Sequence, residues 1–303
     1  MLQHTSSELT VEQILSLSQD LIKETVLSLS TGSSILTVNS ETIDFGCQQV
    51  QQYPTTSREE SLISYLRGLK QDEIISSDTF QEIIPYGSTP GILNGLPKIH
   101  KPGCPFRPIV SSVNTYNYNL ESFLLQILHP ISKNKFAIKA SFSFVDWAKS
   151  YKHNNEILCS FDVSSLFSDV PLDETIQIFL TKLYVYSFPD PPKRPPNVLK
   201  KLLEFATRKS HFLFDGNLYD EINDVAMGSP LGKVLPNIFI CHFEEKWIQN
   251  SKDCPPIWFR YVNDTFTFFQ NKEAAEKFLR YINNRHTNIN FTVELEMDNQ
   301  IPF

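Results

Sequence analysis

The hydrophobic positions of this chain change their period several times. Leu62, Ile63, Leu66 and Leu69 recur at helical spacing, and Pro85, Gly87, Pro90 and Gly91 then break the pattern. Ile157–Phe161 is a short continuous apolar run and predicts a strand. Ile176, Phe179, Leu180 and Leu183 fall at i, i+3, i+4 and i+7, one face of a helix. Phe212–Leu218 reads as a strand and turn. Leu231, Val234, Leu235, Ile238 and Phe239 mark another helix face. Ile257–Phe269 predicts strand, turn and strand, Ala274–Ile282 a helix, and Ile289–Leu295 an alternating strand. This order predicts an α+β fold in which helices cover one face of an antiparallel sheet.

Residues 1–56 behave differently. They are rich in Ser and Thr, and one stretch from Leu9 to Ile22 has helical spacing, but the rest shows no strong pattern. They read as a loosely attached extension. The segment Phe188–Pro196 carries five prolines and predicts an extended connector, an inert spacer or a docking site for a proline-binding module. Composition changes this picture little: 41% of the 303 residues are hydrophobic and 20% charged, as in ordinary soluble domains. No apolar run reaches the roughly 18 residues of a membrane span. The N-terminus lacks the basic-then-apolar order of a signal peptide, so an intracellular protein is expected. The 5 cysteines are scattered, without a C-x-x-C pair, which argues against a disulfide framework or zinc site. The net charge of -7 opposes phosphate binding. Most of that charge sits in the extension, where Glu8, Glu12, Asp20, Glu24, Glu41 and Asp44 face only Lys23.

Four places could carry chemistry, and each has a plain alternative. Asp162 ends the apolar strand: a carboxylate there holds a magnesium ion or simply caps a turn. Asn263-Asp264 lies between two aromatic-rich strands, and Asn-Asp suits a tight turn that needs positive φ. Met227-Gly228-Ser229-Pro230 precedes a predicted helix at Leu231. Ser229 fits an N-cap and Pro230 the first helical position, or Gly228 lets the loop approach a substrate. Lys98, Lys101 and Arg107 surround a Pro-Gly turn with no acid between them, a solvated basic turn or a grip for a triphosphate.

The succession of these four is more specific than any one. Gly-Leu-Pro-Lys-Ile-His-Lys at 95–101, Arg-Pro-Ile-Val-Ser at 107–111, Ser-Phe-Asp-Val-Ser-Ser-Leu-Phe at 160–167, Ala-Met-Gly-Ser-Pro-Leu at 226–231 and Arg-Tyr-Val-Asn-Asp-Thr-Phe at 260–266 resemble the reverse-transcriptase family, in particular its Penelope-like retroelement branch. The resemblance runs from about residue 60 to the end. It implies a right-hand polymerase with a fingers-like region at 57–156 and a palm-like region at 157–303. It also implies nucleotidyl transfer to a primer on an RNA or DNA template, using deoxynucleotides and two magnesium or manganese ions about 4 Å apart. By motif, Asp162 and Asp264 would bind metal, and Lys98, Lys101 and Arg107 would bracket the triphosphate. Phe167 would exclude a ribose 2′-hydroxyl, or pack as ordinary core. Gly228 and Ser229 would face the templating pair.

The chain also departs from the family pattern. Asn263 stands where the family has the first aspartate of the pair, which leaves a metal ligand without charge. Glu221 and Asp224 add negative charge in the third motif. Gly232-Lys233 replaces Ser-Pro, and Pro236 falls inside the predicted helix, where a kink is expected. A thumb and an endonuclease that many members carry are not recognisable. These departures predict an eroded, truncated element copy with weak activity or none.

Overall fold

The structure is a computed structural model and describes residues 36–38, 41–43, 47–97, 106–138, 141–151, 156–164, 166, 170–186, 193–214, 216–221, 225, 227–297 and 301. The helical stretch expected at Leu9–Ile22 and most of the connector at Phe188–Pro196 lie outside the described residues. In chain order the strands and helices are β1 (Leu36–Val38), β2 (Glu41–Ile43), β3 (Cys47–Val50), α1 (Thr55–Gln71), α2 (Ser77–Ile83), β4 (Gly91–Pro97), β5 (Phe106–Ser111) and α3 (Tyr118–Leu128). They continue as α4 (Ser141–Ser150), β6 (Ile157–Ser164), α5 (Leu172–Tyr184), α6 (Pro196–Thr207), β7 (His211–Phe214), β8 (Asn217–Glu221) and α7 (Val234–Phe243). A π-helix at Glu244–Ile248, β9 (Trp258–Tyr261), β10 (Asp264–Phe269), α8 (Lys272–Asn283) and β11 (Asn290–Leu295) complete the chain. β1 and β2 pair antiparallel. Among the described residues no helix is long and apolar enough to cross a membrane.

Two compact units form, one from Met1–Phe123 and Lys201–Leu231, the other from Leu124–Lys200 and Gly232–Phe303. The first holds a five-stranded sheet in the order β3-β8-β7-β4-β5. All its pairs are antiparallel except β4 with β7, which pair Gly91 with Phe212 and Ile92 with Leu213. Gly91 suits this crossing, since a Cβ there would lie 2.8 Å from the Ser111 carbonyl oxygen. Val110, Phe212 and Tyr219 form the buried core of this sheet. In α1, Leu62, Leu66 and Leu69 are buried at i, i+4 and i+7, as the sequence predicts. The helix is tied to β8 by Arg58, whose fork meets both carboxylate oxygens of Asp220 at 2.7 Å.

The second unit holds a four-stranded antiparallel sheet in the order β11-β6-β10-β9. Alternation along these strands sorts the side chains. Phe161, Trp258, Thr265, Thr267 and Phe269 take one face, and the first four of these are nearly or wholly buried. The ring of Phe161 lies 5.5 Å from that of Trp258 and 5.9 Å from those of Phe269 and Phe278, the last on α8. α8 supplies Ala275, Phe278 and Ile282 to this face, and Asn271 caps it by accepting from the Ala274 amide at 2.9 Å. The opposite face carries Asp162, Asp264, Phe259, Phe266 and Phe268. On it, Phe144 and Trp147 of α4 make edge contacts with Phe259 and Phe266 at 4.6 to 6.0 Å.

Three local expectations are corrected. Asp162 does not end its strand, because β6 continues to Ser164. The helix expected from Leu231 begins at Val234, so Pro236 lies in its first turn. Its missing N–H is one of those without an intrahelical partner in any helix, and no kink is needed. Finally, the residue with positive φ in the acidic hairpin is Val262, at 60°, and not Asn263.

Candidate active site

The hairpin that joins β9 to β10 brings three of the expected residues together. Asp264 opens β10 and lies opposite both Tyr261 on β9 and Asp162 on β6. Directly paired residues share a face, so the two carboxylates project on the same side of the sheet. Val262 and Asn263 form a two-residue turn whose first central position has the positive φ of a II′-type hairpin. Thr265 pins the pairing from the buried side, donating from its hydroxyl to the Phe161 carbonyl and accepting from the Phe161 amide, both at 2.9 Å.

Asn263 turns its amide onto Asp162: Nδ2 donates to Oδ1 at 2.7 Å. Asp264 has no such side-chain donor among the described residues. Its carboxyl is held above the usual carboxylate range, first by burial and then by the negative charges of Asp162 and Glu294. No ion pair reaches Asp162 or Asp264 among the described residues. Paired carboxylates left without a cation are a donor set that fits a divalent, oxygen-seeking ion. Asn263, the neighbour that donates to Asp162, carries no charge. No group of three or more His, Cys, Asp or Glu side chains is placed to share a metal among the described residues.

A second cluster is built in the other unit. Gly228 bridges to Ser111 at the end of β5. A Cβ on Gly228 would drive into the Val110 carbonyl, so the chain passes where only glycine fits. Ser112 Oγ donates to the Gly228 carbonyl at 3.3 Å. Ser229 Oγ accepts from the Leu231 amide at 3.0 Å and donates to Glu121 Oε2 at 2.9 Å. Ser229 therefore caps a turn, whereas the helix itself begins later with no side-chain cap. Burial pushes the Glu121 carboxyl up to about 7, against the opposing pull of hydrogen bonds from Ser229 and Ser112. Arg107 lies on the same strand as Val110, paired with Leu96 across the basic hairpin. Lys98, Lys101 and Phe167 lie outside the described residues.

A sequence profile described as "Reverse transcriptase (RNA-dependent DNA polymerase)" matches residues 99–296. This chain belongs to the reverse transcriptase family. The solved structures similar to this reverse transcriptase domain include the apo telomerase of Candida tropicalis truncated from its C-terminal domain. That similarity has 12% identity and a TM-score of 0.53 and covers 93% of this chain and 55% of the telomerase. Another is the BmCPV RNA-dependent RNA polymerase at elongation state, with 12% identity, a TM-score of 0.50, and 92% and 26% of the two chains covered. The domain thus spans about half the length of the first and a quarter of the second. No curated protein sequence matches it significantly. The fold is the mixed α+β, right-hand polymerase fold that the sequence predicts.

The reverse transcriptase domain also contains site residues that sequence reasoning missed. Glu121 is one, hidden in an otherwise apolar helix face beside Leu120 and Leu124. Arg260 and Glu244 are the others, an ion pair at 2.7 Å with side chains 2% and 1% exposed. The available signal was parity: Arg260 shares the inward parity of Trp258, so a charge there needs a buried partner.

Proposed function

We propose that this chain comprises the fingers and palm of a retroelement-derived polymerase of the Penelope-like branch. It would join deoxynucleotides to a primer 3′-hydroxyl on an RNA or DNA template, with its rate lowered by Asn263. The observation that carries this reading is the pairing of Asp162 with Asp264 across β6 and β10, inside the stretch matched by the family. Asp162 and Asp264 would hold magnesium or manganese, two ions in a working site, with Asn263 as an uncharged neighbour. A divalent ion held there supplies Lewis-acid activation of the primer hydroxyl and balances charge on the triphosphate. Lys98, Lys101 and Arg107 orient that triphosphate, Phe167 screens the sugar, and the turn at Gly228 and Ser229 abuts the templating pair.

The weakness follows from charge. Two unit charges about 4 Å apart interact by roughly 4 kcal/mol at an effective dielectric near 20. Losing half of that from the transition state slows the reaction by more than about tenfold. One contact favours a second reading, a non-catalytic domain that keeps its fold and binds nucleic acid: the Asn263 amide already satisfies Asp162 without any cation. Primer extension with Mg²⁺ or Mn²⁺ separates the two. The polymerase reading expects product above an Asp162→Ala control, and a gain of about tenfold or more in Asn263→Asp. Product no higher than the control leaves the binding reading, which expects template–primer affinity to fall steeply with salt.

A further inference from the structure

Arg260 is 2% exposed and fully engaged. Its backbone amide donates to the Phe136 carbonyl at 2.8 Å, and its carbonyl accepts from the Ile138 amide at 2.9 Å. Nε donates to Glu244 Oε1 at 2.7 Å and Nη2 to Glu244 Oε2 at 3.2 Å. Glu244 is held in turn by Trp258 Nε1 at 3.1 Å and Asn134 Nδ2 at 2.6 Å. It begins the π-helix that follows α7, a rare distortion that recurs at functional sites. The remaining arm is the informative one. Nη1 donates to Asn237 Oδ1 at 2.8 Å and to the Val262 carbonyl at 2.9 Å.

Val262 is the tip of the acidic hairpin. It is a β-branched residue at φ 60°, a conformation such residues avoid, and it is half exposed. Its carbonyl belongs to the peptide that leads into Asn263, so fixing that oxygen fixes the plane from which Asn263 and Asp264 depart. A buried ion pair is a poor way to stabilise a core, because desolvation offsets its attraction. A guanidinium whose fork is clamped by a carboxylate is well suited to hold a carbonyl in place.

We propose that Arg260 is a positioning residue for the Asn263–Asp264 hairpin: anchored by Glu244 and Asn237, it holds the Val262 carbonyl and so sets the direction of the two side chains offered to a divalent ion. The cation half of this statement rests on the function proposed above. The brace itself does not.

The test uses the full chain and two readouts, Mn²⁺ affinity from electron paramagnetic resonance and amide hydrogen exchange at Asn263 and Asp264. Arg260→Lys keeps a cation beside Glu244 but cannot also span to Val262. It should unfold cooperatively, lose about tenfold in Mn²⁺ affinity, as loss of an outer-shell partner does, and exchange faster at the hairpin while β11 is unchanged. Should that variant fail to fold, Asn237→Ala removes the anchor that aims the same nitrogen at Val262 while the ion pair stays intact, and it is read in the same way. A folded variant with wild-type affinity and wild-type hairpin exchange overturns the proposal. Equal Mn²⁺ binding by wild type and Asp162→Ala would sink the metal reading alone, and hairpin exchange would still decide the role of Arg260.

Discussion

Two turns in this molecule carry family motifs, and they are held by opposite means. The turn at Gly228 and Ser229 is held by fit: a missing side chain lets it lie on β5, and hydroxyls satisfy the one carboxylate, Glu121. The turn at Val262 and Asn263 is held by a buried ion pair against its own backbone preference, and its carboxylates stay half exposed and mutually repelling. A buried acid surrounded by donors is part of the framework. Like-charged acids with a single donor between them are an invitation to a cation.

Three changes break or sharpen that contrast. Gly228→Ala should have the largest effect, destabilising by about 3 kcal/mol because the new methyl meets backbone that has nowhere to go; urea unfolding measures it. Glu121→Gln comes next. The folded pKa is raised from 4.5 to about 7, so the stability that Glu121 contributes is fully present below pH 4.5 and is lost as pH rises through 7. The loss is on the order of 3 kcal/mol. The glutamine variant keeps a partner for Ser229 and should lack that slope; an unchanged slope from unfolding at pH 4.5 and 8 would refute the framework role. Asn263→Asp should have the smallest effect on stability, a loss of about 1 kcal/mol in EDTA from added repulsion at a half-exposed site. Magnesium should reverse that loss in a thermal scan and should shift the wild type less.

Much of this arrangement was legible in the sequence. The continuous apolar run Ile157–Phe161 and the strand–turn–strand pattern of Ile257–Phe269 identified the strands that pair Asp162 with Asp264, and the helix positions Leu62, Leu66 and Leu69, and Ile176, Phe179, Leu180 and Leu183, are buried as read. Strand β3 was not legible. Its two central residues, Gln48 and Gln49, are exposed, and it pairs only with β8 at the sheet edge, so no apolar period marks it. Asn263-Asp264 was read as a tight turn that needs positive φ, because asparagine and aspartate tolerate that region. The structure gives that position to Val262, and the Asn263 side chain is spent on Asp162. Propensity could not foresee this, since the conformation is imposed by Arg260 from two positions earlier.

The parallel pairing of β4 with β7 has a kinetic consequence. Gly91 and Phe212 are neighbours across the sheet but stand more than a hundred residues apart in sequence, and all of β6 and α5 is made between them. The first unit therefore cannot close until the chain through β8 has been synthesised, and until then β4 waits beside β5 with its other edge open. Closing so long a loop costs entropy before any contact repays it, which places this domain among slow folders. An emerging chain of this kind depends on β7 arriving before another molecule's strand occupies the same edge.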